Sequence, residues 1–251
     1  MDMLPYLLAG IFLPLFPLSM GFNLLFARCR HVALRALLLL LWPQLGLLAI
    51  QFLNPPIPSW LVPLALVTSG LYALRALALR DMGQWNGFLA TSAWAILWIP
   101  LQGGTPVTDM HLYALGFSAP LVLLALLSAG LERRFGAAYT GLYSGLAQSI
   151  PRFAAILVFV VLAIIATPLF PTFFIMLATI VQAITNPPVA LGVAGVWLLW
   201  SWAGTRLLQG LITGPATGDN TIDLNHAVTL GYSLALLLLL VAGVYGIGEL
   251  L

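Results

Sequence analysis

The chain has no lysine, one cysteine, three histidines and few charged groups: nine arginines and seven carboxylates make up 6% of 251 residues, against 62% hydrophobic. So little charge excludes a water-soluble globular fold. Mean hydropathy is +1.07, and apolar runs of about twenty residues recur from end to end, the length that crosses about 30 Å of hydrocarbon as a helix. No alternating period-2 pattern with aromatic girdles is present, which excludes a membrane β-barrel. The lone Cys29 excludes an intramolecular disulfide and a cysteine-clustered metal or iron–sulfur site, and reads as a small apolar filler at a helix end. The dispersed arginines do not form a nucleic-acid surface. No Ser–His–Asp signature, His-Glu-x-x-His or glycine-rich phosphate loop occurs, and the scattered histidines do not provide a metal site. The sequence therefore implies no cofactor and no catalytic role of its own. With no hydrophilic stretch long enough for a second domain, residues 1–251 read as one transmembrane domain, an N-terminal helix pair (1–58) followed by a core (59–251).

Hydropathy places about nine spans: Met3–Phe26, Leu34–Leu53, Trp60–Leu79, Gln84–Leu101, Met110–Leu131, Pro151–Leu169, Thr172–Thr185, a span from Pro188 to Ile212, and His226–Gly248. A polar connection runs from Glu132 to Ile150, and a loop from Gly214 to Asn225. Prolines at 168 and 171 and the Asn186-Pro187-Pro188 turn interrupt the apolar pattern, because proline lacks an amide donor and clashes with the preceding turn. The first run has no basic n-region or cleavage site and reads as a retained helix. With nine spans, Arg28, Arg30, Arg35, Arg75, Arg80, Arg133, Arg134 and Arg152 share one side, cytoplasmic by the positive-inside rule. The N-terminus is then outside and the C-terminus inside, and Arg206 is an exception in the outer half of its span.

Four stretches in a shared order carry a family likeness. They are Ala78-Leu79-Arg80-Asp81-Met82 with Phe88-Leu89-Ala90-Thr91-Ser92; Leu115-Gly116-Phe117-Ser118; Ser144-Gly145-Leu146-Ala147-Gln148-Ser149-Ile150-Pro151 with Pro168 to Phe173; and Arg206 through Thr213-Gly214-Pro215 with Asp223-Leu224. From about Ala65 onward these resemble the proton-conducting, antiporter-like subunits of the complex I membrane arm, Mrp antiporters, membrane hydrogenases and DAB-type inorganic-carbon transporters. The resemblance implies an all-α membrane helix bundle with proline-broken segments, similar to the C-terminal inverted repeat of those subunits, in a chain about half their usual length.

The departures from the family pattern are informative. Gly83 and Gln84 stand where the family segment has lysine and arginine, Ala93 and Leu115 where it has histidines, and Met176 where it has a glutamate. Groups that cannot titrate thus occupy the positions that the resemblance assigns to proton handling.

Among the remaining ionisable groups, Arg206 reads as a snorkelling anchor or as a coupling or subunit-contact residue. Arg75 reads as an interfacial anchor, and Asp81 does not share its helix face at that spacing. His111, preceded by Asp109, reads as an interfacial histidine or a proton-uptake group. Glu132 with Arg133 and Arg134 reads as a solvated helix end. Asn23, Gln44, Asn86, Ser118, Thr172 and Gln182 either line a hydrated path or bond across packed helices. Trp60, Trp85 and Trp98 fall near span ends, as an interfacial belt does.

The resemblance implies a non-pumping or weakly conducting subunit of an ion-gradient-coupled complex in a bacterial inner membrane, partnered by a full-length antiporter-like subunit. The look of Leu13-Pro14-Leu15-Phe16-Pro17-Leu18-Ser19 and Leu41-Trp42-Pro43-Gln44 favours a DAB-type inorganic-carbon complex, with a soluble zinc-containing partner. The alternatives are an accessory subunit of a complex I-, hydrogenase- or Mrp-like assembly and a stand-alone proton or cation transporter.

Overall fold

A computed structural model describes residues 4–141, 144–215 and 222–250; Met3 and part of the expected 214–225 loop lie outside them. The described residues form helices and no sheet: α1 (Leu4–Phe12), α2 (Ser19–Arg28), α3 (Val32–Leu53), α4 (Leu61–Ala78), α5 (Met82–Ile96), α6 (Trp98–Gln102), α7 (Val107–Phe135), α8 (Leu146–Ser149), α9 (Pro151–Ile164), α10 (Pro171–Gln182), α11 (Pro187–Ile212) and α12 (His226–Leu250). Five helices are individually long and apolar enough to cross a membrane: α3, α4, α7, α11 and residues 226–246 of α12. The protein is an all-α, multi-pass membrane bundle.

Local chemistry sets the helix ends. Pro151, Pro171 and Pro187 occupy the first position of α9, α10 and α11, where a missing amide donor costs nothing. Asp81 caps α5 by accepting the Gln84 amide at 2.7 Å. Gly136, at φ +80°, closes α7 in the left-handed conformation that a residue without Cβ adopts freely.

The shorter helices cross in series. Phe153 of α9 packs beside Gly130 of α7, whereas Pro171 and Ile175 of α10 pack beside Gly116. Gln182, ending α10, accepts a hydrogen bond from Thr105, just before α7. The pair α9–α10 therefore runs antiparallel to α7 along its whole length, as one crossing broken at Ile165–Phe170. Two of the expected spans, Pro151–Leu169 and Thr172–Thr185, are thus halves of one. Each is too short alone: 14 residues rise only about 21 Å.

The expected Met3–Phe26 span is likewise broken, over Leu13–Leu18, where Pro14 and Pro17 remove two amide donors. Tyr6 at its start bonds the Pro56 carbonyl beyond the end of α3, and Cys29 at its end accepts from Arg35 at the start of α3. Broken crossing and α3 are therefore antiparallel too. Helices α5 and α6 meet at Leu97 and form one crossing against α4.

The result is eight antiparallel crossings among the described residues. The even number corrects the topology drawn from nine spans. Helix α1 begins and α12 finishes at the same end of the bundle. Arg206 joins the other arginines at the opposite end, where it lines a cavity with Arg80 and where Gly210 accepts from the Gly141 amide. One apolar core runs through all eight, from Tyr6 to Leu236.

Candidate coupling site: a neutral polar core and one ion pair

Helix α5 is the hub. It packs against α2, α4 and α7 and is buried over nearly its whole surface. Its small and polar residues meet partners on each neighbour. Thr91 accepts from Asn23 Nδ2 of α2 at 2.8 Å. Ser92 and Ser69 of α4 lie 2.9 Å apart and donate to each other's carbonyl region, and Trp200 of α11 donates its indole N–H to Ser92 at 2.8 Å. Trp94 donates to Ser118 of α7 at 3.1 Å, and Asn86 to the Leu121 carbonyl at 2.9 Å. Nearby, Ser19 of α2 bonds Tyr72 of α4. Buried polar side chains among the described residues are serine, threonine and asparagine, none of them charged.

All six neutral residues expected to line a path or to tie helices together make hydrogen bonds to other segments. Besides those above, Thr172 donates to the Ala163 carbonyl across the second break at 2.6 Å. Gln44 of α3 clasps His111 of α7 twice, accepting at the ring Nδ1 and donating to the backbone carbonyl at 3.2 Å. Each such bond contributes roughly 0.6–2 kcal/mol between membrane helices. His111 is thus tied to α3 at the end of the bundle remote from the arginines.

The one ion pair among the described residues joins Arg35 of α3 to Glu132 of α7, at 3.1 Å, with the side chains 13% and 33% exposed. Arg35 also donates Nε to the Cys29 carbonyl at 2.7 Å and lies over the Phe26 ring. Hydropathy shows this arginine only as a loop flank; its partner is 97 positions away. A Cβ on Gly83 would stand 3.1 Å from Asp81 Oδ1 and 3.6 Å from an Arg35 nitrogen. The position that the resemblance assigns to lysine is therefore already faced by a cation supplied from α3. Glycine leaves both the guanidinium and the Asp81 carboxylate their room.

The other candidates fall apart from this pair. Asp81 is the α5 cap. Arg75 is exposed, with its guanidinium 5.4 Å from the centre of the Phe88 ring, so α4 and α5 share a cation–π contact. Arg206 is exposed, and its side chain makes no hydrogen bond or ion pair among the described residues. Arg133 donates to the Ala129 carbonyl at 3.2 Å. Ala93 and Met176 are buried, whereas Leu115 is 42% exposed on the outer face of α7, so that position does not face the bundle interior.

Trp60 is half exposed at the start of α4, but Trp85 and Trp98 are buried, not interfacial. Trp98 donates to the Leu13 carbonyl at 3.0 Å, and Trp42 to the Ile11 carbonyl at 3.0 Å. Thr68 accepts the Phe16 amide at 3.0 Å. These three side chains satisfy backbone groups that the first break releases, a necessity where no bulk water reaches. At the second break, Trp197 donates to the carbonyls of Ile165 and Ala166 at 3.2 and 3.1 Å, and Thr167 to that of Leu162 at 2.9 Å. The prolines at 14 and 17 were the sequence signal for the first break; nothing local identifies the tryptophans that serve it.

No protein-family model and no curated protein matches the sequence. Solved structures match the fold. A chain of respiratory complex I from Thermus thermophilus superposes with a TM-score of 0.81 at 23% identity, covering 94% of this chain and 53% of that one. A chain of the Mrp complex from Dietzia sp. DQ12-45-1b gives 0.80 at 16%, covering 95% and 55%. One from the membrane-bound sulfane sulfur reductase, an archaeal respiratory membrane complex, gives 0.82 at 17%, covering 96% and 52%. The chain thus has the fold of a chain in each of these membrane complexes, and spans about half the length of the chains it matches.

Proposed function

We propose that the chain is a non-pumping subunit of an ion-gradient-coupled membrane complex, packed beside a full-length antiporter-like subunit. The observation that carries this reading is the buried polar set around α5: serines, threonines and asparagine bonded across helices, with no acidic, basic or histidine side chain among the described residues. A directional proton path needs a group whose charge changes at mid-depth. Here the ion pair of Arg35 and Glu132 lies at the arginine-rich end, and the His111–Gln44 pair at the other. Between them neutral bonds hold the helices in place. Such a bundle supplies a family-shaped packing surface, seals a neighbour's path and transmits its movements.

The arginine-rich end faces the cytoplasm of a bacterial inner membrane on this reading, with both α1 and α12 reaching the outer face at their far ends. Among assemblies, a DAB-type inorganic-carbon complex with a soluble zinc-containing partner is the narrower assignment. The two segments that favour it meet in the structure, Trp42 bonding Ile11 and packing on Phe12 beside the first break. A complex I-like or Mrp-like assembly is supported by the fold matches themselves.

Reconstitution of the purified chain in liposomes under an imposed proton gradient tests the reading. Flux equal to that of empty liposomes is expected, and co-purification from mild detergent should bring down a larger antiporter-like subunit. Robust proton flux through the chain alone would overturn the proposal and favour a stand-alone transporter.

A further inference from the structure

Four of the nine arginines, all at the crowded end of the bundle, have side-chain partners among the described residues. Arg35 holds Glu132, Arg133 and Arg152 donate to carbonyls at 3.2 and 3.3 Å, and Arg75 lies over Phe88. Arg80 and Arg206 make no such contact among the described residues, and both line one open cavity of about 930 Å³ between the end of α4, the start of α5 and the last turns of α11.

The cavity is built, not a gap between loosely packed ends. The segment Tyr139–Gly141 straps its rim: Thr140 donates its amide to the Arg80 carbonyl at 2.8 Å, and Gly141 to that of Gly210 at 3.3 Å. The lining holds a surplus of donors. Trp85, 1% exposed, forms part of the wall, and its buried indole N–H has no acceptor among the described residues. No carboxylate lines the cavity among the described residues. Asp81, next in sequence to Arg80, spends its carboxylate capping α5. The walls are apolar, from Leu77, Leu79, Ala203 and Leu207. Two cations without a partner among the described residues, in one cavity, call for an anion.

The surface leading away from the cavity is greasy. On α11, Trp202 and Leu198 follow Arg206 at intervals of four residues and are 59% and 73% exposed. On α4, Leu74, Leu71 and Val67 follow Ala78 at helical spacing and are 51%, 41% and 57% exposed. A ligand filling the cavity would thus meet cations at its head and hydrocarbon-facing side chains along its tail. We propose that the cavity binds the phosphate of an anionic phospholipid, with its acyl chains lying along α4 and α11. Basic pockets between helices at a membrane face recognise such headgroups by charge and fit.

Native mass spectrometry of the full chain, delipidated in mild detergent and titrated with phosphatidylglycerol, phosphatidylcholine or inorganic phosphate, tests this. One phosphatidylglycerol should be retained per chain under conditions that strip phosphatidylcholine. Arg80→Gln and Arg206→Gln should each weaken retention about fivefold, and the double variant about 25-fold, at roughly 1 kcal/mol per cation. Arg206→Lys should keep most of the binding. Arg28→Gln, an exposed arginine outside the cavity, should change nothing. Circular dichroism and elution volume confirm folding, and both cavity arginines are exposed enough to be replaced without unpacking the core. Equal retention by the double variant would overturn the proposal, leaving the arginines to a carboxylate on a neighbouring subunit. Inorganic phosphate that displaces the lipid at equal concentration would overturn its lipid source in favour of a free-anion site.

Discussion

From Leu13 to Leu18 and from Ile165 to Phe170 the chain leaves the helix for six residues each time, inside a membrane bundle, and the two breaks are secured differently. The first is tied outward to three other helices: Thr68 of α4 and Trp98 of α6 each take one of its backbone groups, and Trp42 of α3 takes the Ile11 carbonyl just before it. The second is closed mainly from within. Thr167 and Thr172 return to carbonyls of its own crossing, and among the described residues only Trp197 gives it a side-chain hydrogen bond from another helix. Two of its residues, Ala166 at φ +58° and Leu169 at +82°, are held in the left-handed region, which costs a residue with Cβ of order 1 kcal/mol or more. The first break contains no such residue. One break is thus locked to its surroundings, and the other stores strain with fewer external ties. Both use neutral groups only, so neither needs a change of charge to keep its shape.

A glycine from a neighbouring helix also presses on each break, and this contrast gives the largest expected effect. A Cβ on Gly243 of α12 would stand 2.1 Å from the Leu169 carbonyl oxygen, and the obstacle is backbone. On Gly46 of α3 it would stand 2.9 Å from the Leu13 amide nitrogen. Gly243→Ala should cost about 3 kcal/mol and Gly46→Ala about 1–2 kcal/mol, measured as shifts in detergent unfolding midpoints. Equal losses would show that the second break gives way as its strain and sparse ties permit. A larger loss at Gly46 would reverse the comparison.

The indole donors come next. Trp98→Phe leaves the Leu13 carbonyl unpaired at a fully buried site and should cost about 2–3 kcal/mol. Trp197 is only half buried, so Trp197→Phe should cost about 1 kcal/mol although it releases two carbonyls. Unfolding of the two variants in the same detergent ranks them. Should Trp197 prove the costlier loss, the second break is the one more dependent on its neighbour.

How far these features were legible in the sequence follows from the range of the interactions. Apolar runs reveal helices in a membrane, and Pro168 and Pro171 mark the second break, because both signals are local. Hydropathy does not register that α9 and α10 form one crossing. That depends on Phe153 and Ile175 contacting opposite stretches of α7, and the miscount moved Arg206 to the wrong face. The substitutions at Gly83 and Ala93 were visible as absences. The cation that faces Gly83 was not, since Arg35 comes from another helix and finds Glu132 only in the folded bundle. Trp98 looked interfacial because it ends an apolar run. Its partner, Leu13, is 85 positions away.

The smallest effect isolates strain from packing. Leu169 is 55% exposed, so its side chain contributes little to the core, while its φ of +82° suits glycine. Leu169→Gly removes the Cβ penalty but increases the freedom of the unfolded chain, and the two terms partly offset. A net gain of about 0.5 kcal/mol is expected, read as a small rise in unfolding midpoint. The same replacement at Leu15, buried at the first break and without a positive φ, has no strain to relieve and should destabilise by about 2–4 kcal/mol through lost packing. Opposite signs at the two sites would establish that strain belongs to the second break alone. A loss at Leu169 as large as that at Leu15 would mean that its side chain, not its backbone, determines the contribution of the site to stability.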